Sequence, residues 1–363
     1  MPKKKKNKGA LDFEISFGSI GVNEKIIFAK HLSVMLRAGL TISEALEIIF
    51  EQSDGKMKRI VGSIKESVDS GNSLSSSLSK YPRIFSNIFI NTVYVGEASG
   101  NLDQNLENIA IFLNKEKELA NKIKNAMFYP MIIIFLALGL GFIISYMVLP
   151  KILPLFKSMK TQLPPTTRAL IWFSDLMQQS GKLIGAVSGA VLVFFLWLFR
   201  QKFFQPAADY LILRTPLVGR VSKNKNIALF CNTLGTLLKS GLNIDEALNI
   251  VAKTSDNYYY RRCINKISER TTHGEKLSVA LSDFKGLFSG LAISMMKVGE
   301  RSGRLEETLF YLGTYYEEEV DTSVKKISAA IEPLLLIFIG LAVGGLAMSI
   351  ITPIYQLTGG MKK

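Results

Sequence analysis

Two octapeptides, residues 95–102 (VGEASGNL) and residues 298–305 (VGERSGRL), share the pattern GExSGxL, and each sets a carboxylate, Glu97 or Glu300, beside glycines and a serine. A carboxylate in that setting invites an acid–base reading. The same residue types read more strongly as helix punctuation. Gly96 and Gly100 in one copy, and Gly299 and Gly303 in the other, bend the chain; Ser99 or Ser302 starts the next helix, and the carboxylate receives backbone donors there. Asp103 follows Glu97, and Glu306 follows Glu300, so each pair could instead hold a divalent cation or face a basic partner surface. An all-oxygen cation site needs several more ligands. Glu97, Asp103, Glu300 and Glu306 therefore stand as partner-contact candidates, with no catalytic, cofactor-binding or metal-binding residue assigned.

Other chemistries lack their residues. Cys231 and Cys263 are far apart and without CxxC spacing, which indicates neither a disulfide framework nor a zinc site. Buried, inert thiols are the expectation. His31 and His273 have no second ligand at metal spacing. No GxxxxGK[ST] loop, HExxH, GxSxG or kinase motif set occurs, so neither a P-loop ATPase nor a common hydrolase or kinase is encoded.

The elements that position these carboxylates are revealed by an internal repeat. FAKHLSVMLRAGLTISEALEII, starting at Phe28, matches LFCNTLGTLLKSGLNIDEALNIV, starting at Leu229, at an offset of 202. After a one-residue indel the offset becomes 203, pairing Gly71 with Gly274, Leu74 with Leu277, Phe85 with Phe288, Pro130 with Pro333 and Pro150 with Pro353. Gly39 and Gly241 have the place of a C-terminal cap glycine. Thr41 with Glu44, and Asn243 with Glu246, have the spacing of an N-cap and its third-position carboxylate. Leu32, Met35, Leu36 and Leu40 recur at three and four, which predicts one buried helical face. Hairpin signals and strand alternation are missing, so each copy is read as an all-α bundle.

Three apolar stretches, uncharged over 126–149, 183–199 and 333–352, interrupt the polar blocks. Residues 126–149 are long enough to cross roughly 30 Å of hydrocarbon. Residues 183–200 form a shorter span closed by Lys182, Arg200 and Lys202, with Trp197 near one end. A third spans 329–352, its apolar run opening at Pro333, where a proline suits the first turn of a helix. Gly185 with Gly189, and Gly340 with Gly344, have a spacing that lets membrane helices approach closely, within the chain or between copies.

Mean hydropathy is +0.23 with 20% charged residues, as expected of wet domains joined to lipid-facing segments. The formal charge of +14 is spread thinly: 18 Lys and Arg precede the first apolar stretch and 18 lie between the second and third, against 14 acids in each block. That distribution fits domains lying against an anionic membrane face, with Lys3 to Lys6 as a small tether, better than a nucleic-acid site. Lys and Arg around the spans give no orientation. The polar first block, whose basic start lacks the apolar core of a secretory signal, places that block in the cytosol. The resulting division is a basic N-terminus (1–22), a first cytosolic bundle (23–125), span one (126–149), an outer loop (150–182), span two (183–200), a second cytosolic bundle (201–328), span three (329–352) and an outer tail (353–363).

A doubled domain marked by L(K/R)xGLxxxEAL and VGExSGxL, each copy followed by a span near a proline, resembles the GspF/PilC family of inner-membrane platform proteins over residues 28 to 353. The resemblance implies bundles of about six helices in a protein of the cytoplasmic membrane. The implied partners are a hexameric secretion or pilus ATPase, inner-membrane assembly proteins, pilins or pseudopilins, membrane lipids and further copies of the chain, with no direct nucleic-acid contact and no cofactor. It implies a coupler of ATPase motion to filament assembly in protein secretion, type IV pilus biogenesis or DNA uptake. The alternative is a membrane transporter or membrane-bound enzyme of an unrelated family. Against it stand uncharged span interiors and the missing nucleotide, metal and nucleophile motifs.

Overall fold

The computed structural model describes residues 20–143, 204–216 and 218–360, with the isolated positions Met147, Trp172, Ala190 and Gln201. The expected outer loop, and span two except for Ala190, with its Gly185/Gly189 pair, therefore lie outside the described residues apart from those single positions. All the regular structure described is helical, with no strand among the described residues.

The first copy comprises α1 (Val22–Arg37), α2 (Ile42–Gln52), α3 (Gly55–Asp69), α4 (Leu74–Ser79), α5 (Asn87–Ser99) and α6 (Leu102–Ile143). After α7 (Gln205–Arg214) the second copy follows as α8 (Val218–Lys239), α9 (Ile244–Thr254), α10 (Tyr258–Thr272), α11 (Leu277–Ser282), α12 (Gly290–Ser302) and α13 (Leu305–Gly360). From α3 onward every helix of the first copy starts 203 residues before its counterpart, so the repeat read in the sequence is a repeat of structure.

The shared punctuation behaves as its chemistry requires. Gly39 and Gly241 stand just past α1 and α8 at φ 93° and 95°, a left-handed conformation in which a side chain would be strained. Around them Leu40 N donates to Met35 O at 3.1 Å and Leu242 N to Leu237 O at 3.2 Å, closing each helix in the same double-bonded turn. Thr41 caps α2: its hydroxyl accepts from Glu44 N, and the Glu44 carboxylate accepts from Thr41 N at 2.8 Å. The Thr41 N–H, and after it the Thr41 hydroxyl, which also donates to this carboxylate at 2.8 Å, hold the Glu44 carboxyl below its ordinary pKa.

Each copy has an aromatic centre. Phe28 lies 5.6 Å from Phe85, and its counterpart Phe230 reaches Phe288 at 5.0 Å, ring centroid to centroid. The buried face of α1 is Phe28, Ala29, Leu32 and Ser33, while Met35, Leu36 and Leu40 are only half-buried. This corrects the expected stripe: the three-four spacing was right, but the face is set by Phe28 one turn earlier, which joins the aromatic cluster.

The described chain gathers in two compact units. One holds the first copy up to Lys117 together with residues 233–254; the other holds residues 118–232 and 255 onward. Within the first unit, α9 packs on α5, and the buried Asn105 side chain donates to Thr92 O at 3.2 Å and to Ser240 O at 3.3 Å. A buried amide that finds two carbonyls fixes orientation as well as contact.

Candidate functional site: two glutamate clasps and the helices they hold

The GExSGxL motif sits where α5 passes to α6 and where α12 passes to α13, and each of its residues has a positional task. Gly100 and Gly303 occupy the left-handed cap position at φ 75° and 70°. Gly96 and Gly299 allow close approach to the next helix: a Cβ at Gly96 would come within 3.1 Å of Asn105, and one at Gly299 within 2.4 Å of the Thr308 hydroxyl.

The two carboxylates face inward to helices 23 residues earlier in the chain. Glu97 accepts from Leu74 N at 2.5 Å, Ser75 N at 3.1 Å and the Ser75 hydroxyl at 2.5 Å. Glu300 repeats the arrangement, accepting from Leu277 N at 2.7 Å, Ser278 N at 3.3 Å and the Ser278 hydroxyl at 2.5 Å. The first turns of α4 and α11 have N–H groups with no intrahelical acceptor, and a carboxylate is the strongest acceptor for them. Each glutamate thus clasps a short helix to the turn that launches a long one.

Three sequence expectations change here. Ser99 and Ser302 end α5 and α12 instead of starting the next helix; their hydroxyls donate back to Val95 O and Gly299 O. The donors to Glu97 and Glu300 come from α4 and α11, not from the helix that follows. Asp103 is turned from Glu97 to Arg37, which it meets at 3.6 Å while the same guanidinium pairs with Glu107. Glu306 is exposed in the first turn of α13. Among the described residues no group of three His, Cys, Asp or Glu side chains could hold a metal ion. Both cysteines are buried free thiols, and burial raises each pKa, that of Cys263 to about 12.

The clasped helices change character along their length. On α13 the residues Leu309, Leu312, Tyr316, Val320, Val324 and Ile327 are buried at three- and four-residue intervals, an ordinary core-facing stripe. Beyond it the pattern ends: Leu334, Leu336, Ile337, Phe338 and Leu341 are between 60% and 72% exposed. The stretch from Leu305 to Gly345 is, among the described residues, the one helix long and apolar enough to cross a membrane, with a best window of mean hydropathy 2.2. On α6, Leu106, Ile109 and Leu113 are core, whereas Phe128, Met131, Phe135 and Leu136 are 63% to 77% exposed. Apolar side chains exposed all round a helix belong in lipid.

Proline marks the change on α6 from inside the helix. Pro130 lies within α6, and Pro333 lies within α13 instead of in a helix's first turn as expected. A proline in a helix interior leaves the carbonyl four residues earlier without its donor, here Ala126 O. Ser328 of α13 supplies the replacement, its hydroxyl donating to Ala126 O at 3.0 Å. Pro130 itself is buried, and the bond ties the two long helices together beside it. Sequence spacing aligned the prolines of the two copies but carried no sign of this cross-helix bond.

The site is thus a pair of matched joints, each fixing a helical bundle to a helix that runs on as an apolar rod, which is the class of a membrane-anchored helical scaffold. The chain belongs to the type II secretion system protein F family: that family's model matches twice, over residues 28–150 and 230–353. It is 34% identical to the type IV pilus assembly protein PilC of Thermus thermophilus, over 93% of this chain and 84% of that one. It is 30% identical to PilC of Myxococcus xanthus, over 99% and 87%, and 32% identical to the type II secretion system protein F of Aeromonas hydrophila, over 92% and 86%.

Proposed function

We propose that this chain is the inner-membrane platform of a machine that assembles pilin-like subunits into a filament, of the class that builds type IV pili and type II secretion filaments. Its part is to couple and to scaffold; catalysis is left to a hexameric ATPase beneath it. Further partners are inner-membrane assembly proteins, pilins or pseudopilins, and other copies of the chain. In this reading residues 23–125 and 201–328 are cytosolic, the chain crosses the membrane at 126–149, 183–200 and 329–352, and residues 150–182 and 353–363 lie outside.

The observation that carries the proposal is the double occurrence of one joint. A force applied to a bundle reaches the bilayer only if the helix entering the membrane is continuous with the bundle and cannot pivot at its start. Helix α13 runs 56 residues without interruption, about 84 Å at the α-helical rise, from the clasp through the apolar stretch. The names of the relatives supply the process: pilus assembly and type II secretion. Photo-crosslinking from exposed positions beside the clasps tests the reading. Tyr94 and Val298 are 61% and 59% exposed. Crosslinks to the ATPase from either position in a working machine support the coupling role, and a working machine with none from any bundle surface removes it.

A further inference from the structure

The turn between α7 and α8, with the loop before α12, borders an open cavity of about 550 Å³. Four cations line it: Arg214, Arg220, Lys223 and Lys285. No Asp or Glu is among the described lining residues. Deeper in the same wall stands Asn224, only 9% exposed, whose side-chain amide nitrogen has no hydrogen-bond partner. A buried amide donor left unpaired costs free energy, and a turn of the Asn224 side chain toward an acceptor in the cavity would recover it. Clustered cations without counter-charges have the same need, so both observations ask for an oxyanion.

The backbone holds the cavity open at a fixed place. Gly219 is buried in the first turn of α8, and a Cβ there would fall 2.5 Å from Leu213 O, so only glycine lets the start of α8 lie against the end of α7. Arg214 is steadied by Tyr210, which accepts a hydrogen bond from it and lies under its guanidinium at 5.5 Å from ring centroid to Cζ. Next to the cations the surface turns apolar: Tyr210, Leu211, Ile212 and Val218 are 49%, 64%, 41% and 46% exposed, and α7 buries none of its residues.

We propose that this cavity is a phosphate-binding site that takes the headgroup of an anionic membrane phospholipid. The basic lining and Asn224 would receive the phosphate diester, and the exposed apolar residues of α7 would lie against the acyl chains. The apolar rim selects a lipid over a free phosphate compound. Four cations select an anionic headgroup over a zwitterionic one, whose choline nitrogen they repel. The inference goes beyond the coupling role and does not depend on it.

The test uses the full-length protein in neutral detergent, with lipid binding followed by native mass spectrometry. Short-chain phosphatidylglycerol, phosphatidylcholine of the same chain length and inorganic phosphate are the probes. The site predicts phosphatidylglycerol retained in preference to phosphatidylcholine. It also predicts at least a tenfold loss of phosphatidylglycerol affinity in the Arg220→Gln, Lys285→Gln double variant, whose substituted side chains are exposed and leave the core intact. Asn224→Leu should weaken binding and, in the absence of lipid, leave the melting temperature unchanged or higher. Equal retention of the two lipids, or a double variant that binds as the parent does, overturns the site. Inorganic phosphate binding as tightly as phosphatidylglycerol overturns the lipid assignment in favour of a soluble phosphate.

Discussion

Replacing Glu300 by alanine separates the two roles open to the motif carboxylates, because a clasp and a partner contact fail differently. The carboxylate accepts three hydrogen bonds, from Leu277 N, Ser278 N and the Ser278 hydroxyl. A hydrogen bond to a charged group contributes about 1.5–3 kcal/mol when its partner is removed. The residue is half-buried, so water reaches some of the released donors and the three do not sum. We expect Glu300→Ala to cost about 2–4 kcal/mol, at or above the largest helix-cap losses of about 2 kcal/mol, because three bonds to a charged acceptor are lost together. Glu300→Gln, which keeps one acceptor oxygen, should cost about half of that, taking hydrogen bonds to neutral groups as weaker. Glu97→Ala should match, since Leu74 and Ser75 present the same donors, and with no shared donor the two losses should add within about 0.5 kcal/mol. Denaturant unfolding of the full-length protein in detergent measures this, alongside filament assembly in cells. If Glu300→Ala stays within about 0.5 kcal/mol of the parent while assembly is lost, the carboxylate faces a partner and the clasp account is wrong.

Further outcomes follow from single contacts. A Cβ at Gly313 would lie 2.2 Å from Asn232 Oδ1, so Gly313→Ala should destabilise by about 1–3 kcal/mol in the same unfolding assay. Cys231 and Cys263 should resist a maleimide at pH 8 in the folded protein and react within minutes once denatured, because burial keeps both as thiols. The Arg270 guanidinium holds the Glu275 carboxyl below 4.5, so this pair contributes above that value and loses its contribution as pH falls through the lowered one. The stability difference between the parent and Arg270→Gln should therefore be constant near neutrality and shrink below about pH 4.5.

Much of the fold was legible because its determinants are local. A cap glycine followed by a Thr41–Glu44 box needs only a few consecutive residues, and the repeat offset placed the second copy of each element. The joints were legible in outline, since GExSGxL announced a turn. What closes them was not. Glu97 finds its donors 23 residues upstream, Asp103 turns to Arg37, and Asn105 reaches Ser240, 135 residues away; all are contacts that only packing creates. Pro333 reads in the sequence as a helix start and lies inside α13. Inside α6 the carbonyl that Pro130 frees is met by the distant Ser328 hydroxyl, which no local pattern announces. The basic cavity joins Arg214, Arg220 and Lys223 to Lys285, some sixty residues on, with no periodic signal linking them.

Coupling is the central claim, and crosslinking inside the assembled machine tests it most directly. A photo-reactive residue placed in turn at Tyr94, Asp103, Val298 and Glu306 should capture the ATPase from at least one of the two bundles, in cells that still assemble filaments. Yield should change when ATP hydrolysis is blocked. Filament assembly proceeding normally with no ATPase captured from either bundle would contradict the account.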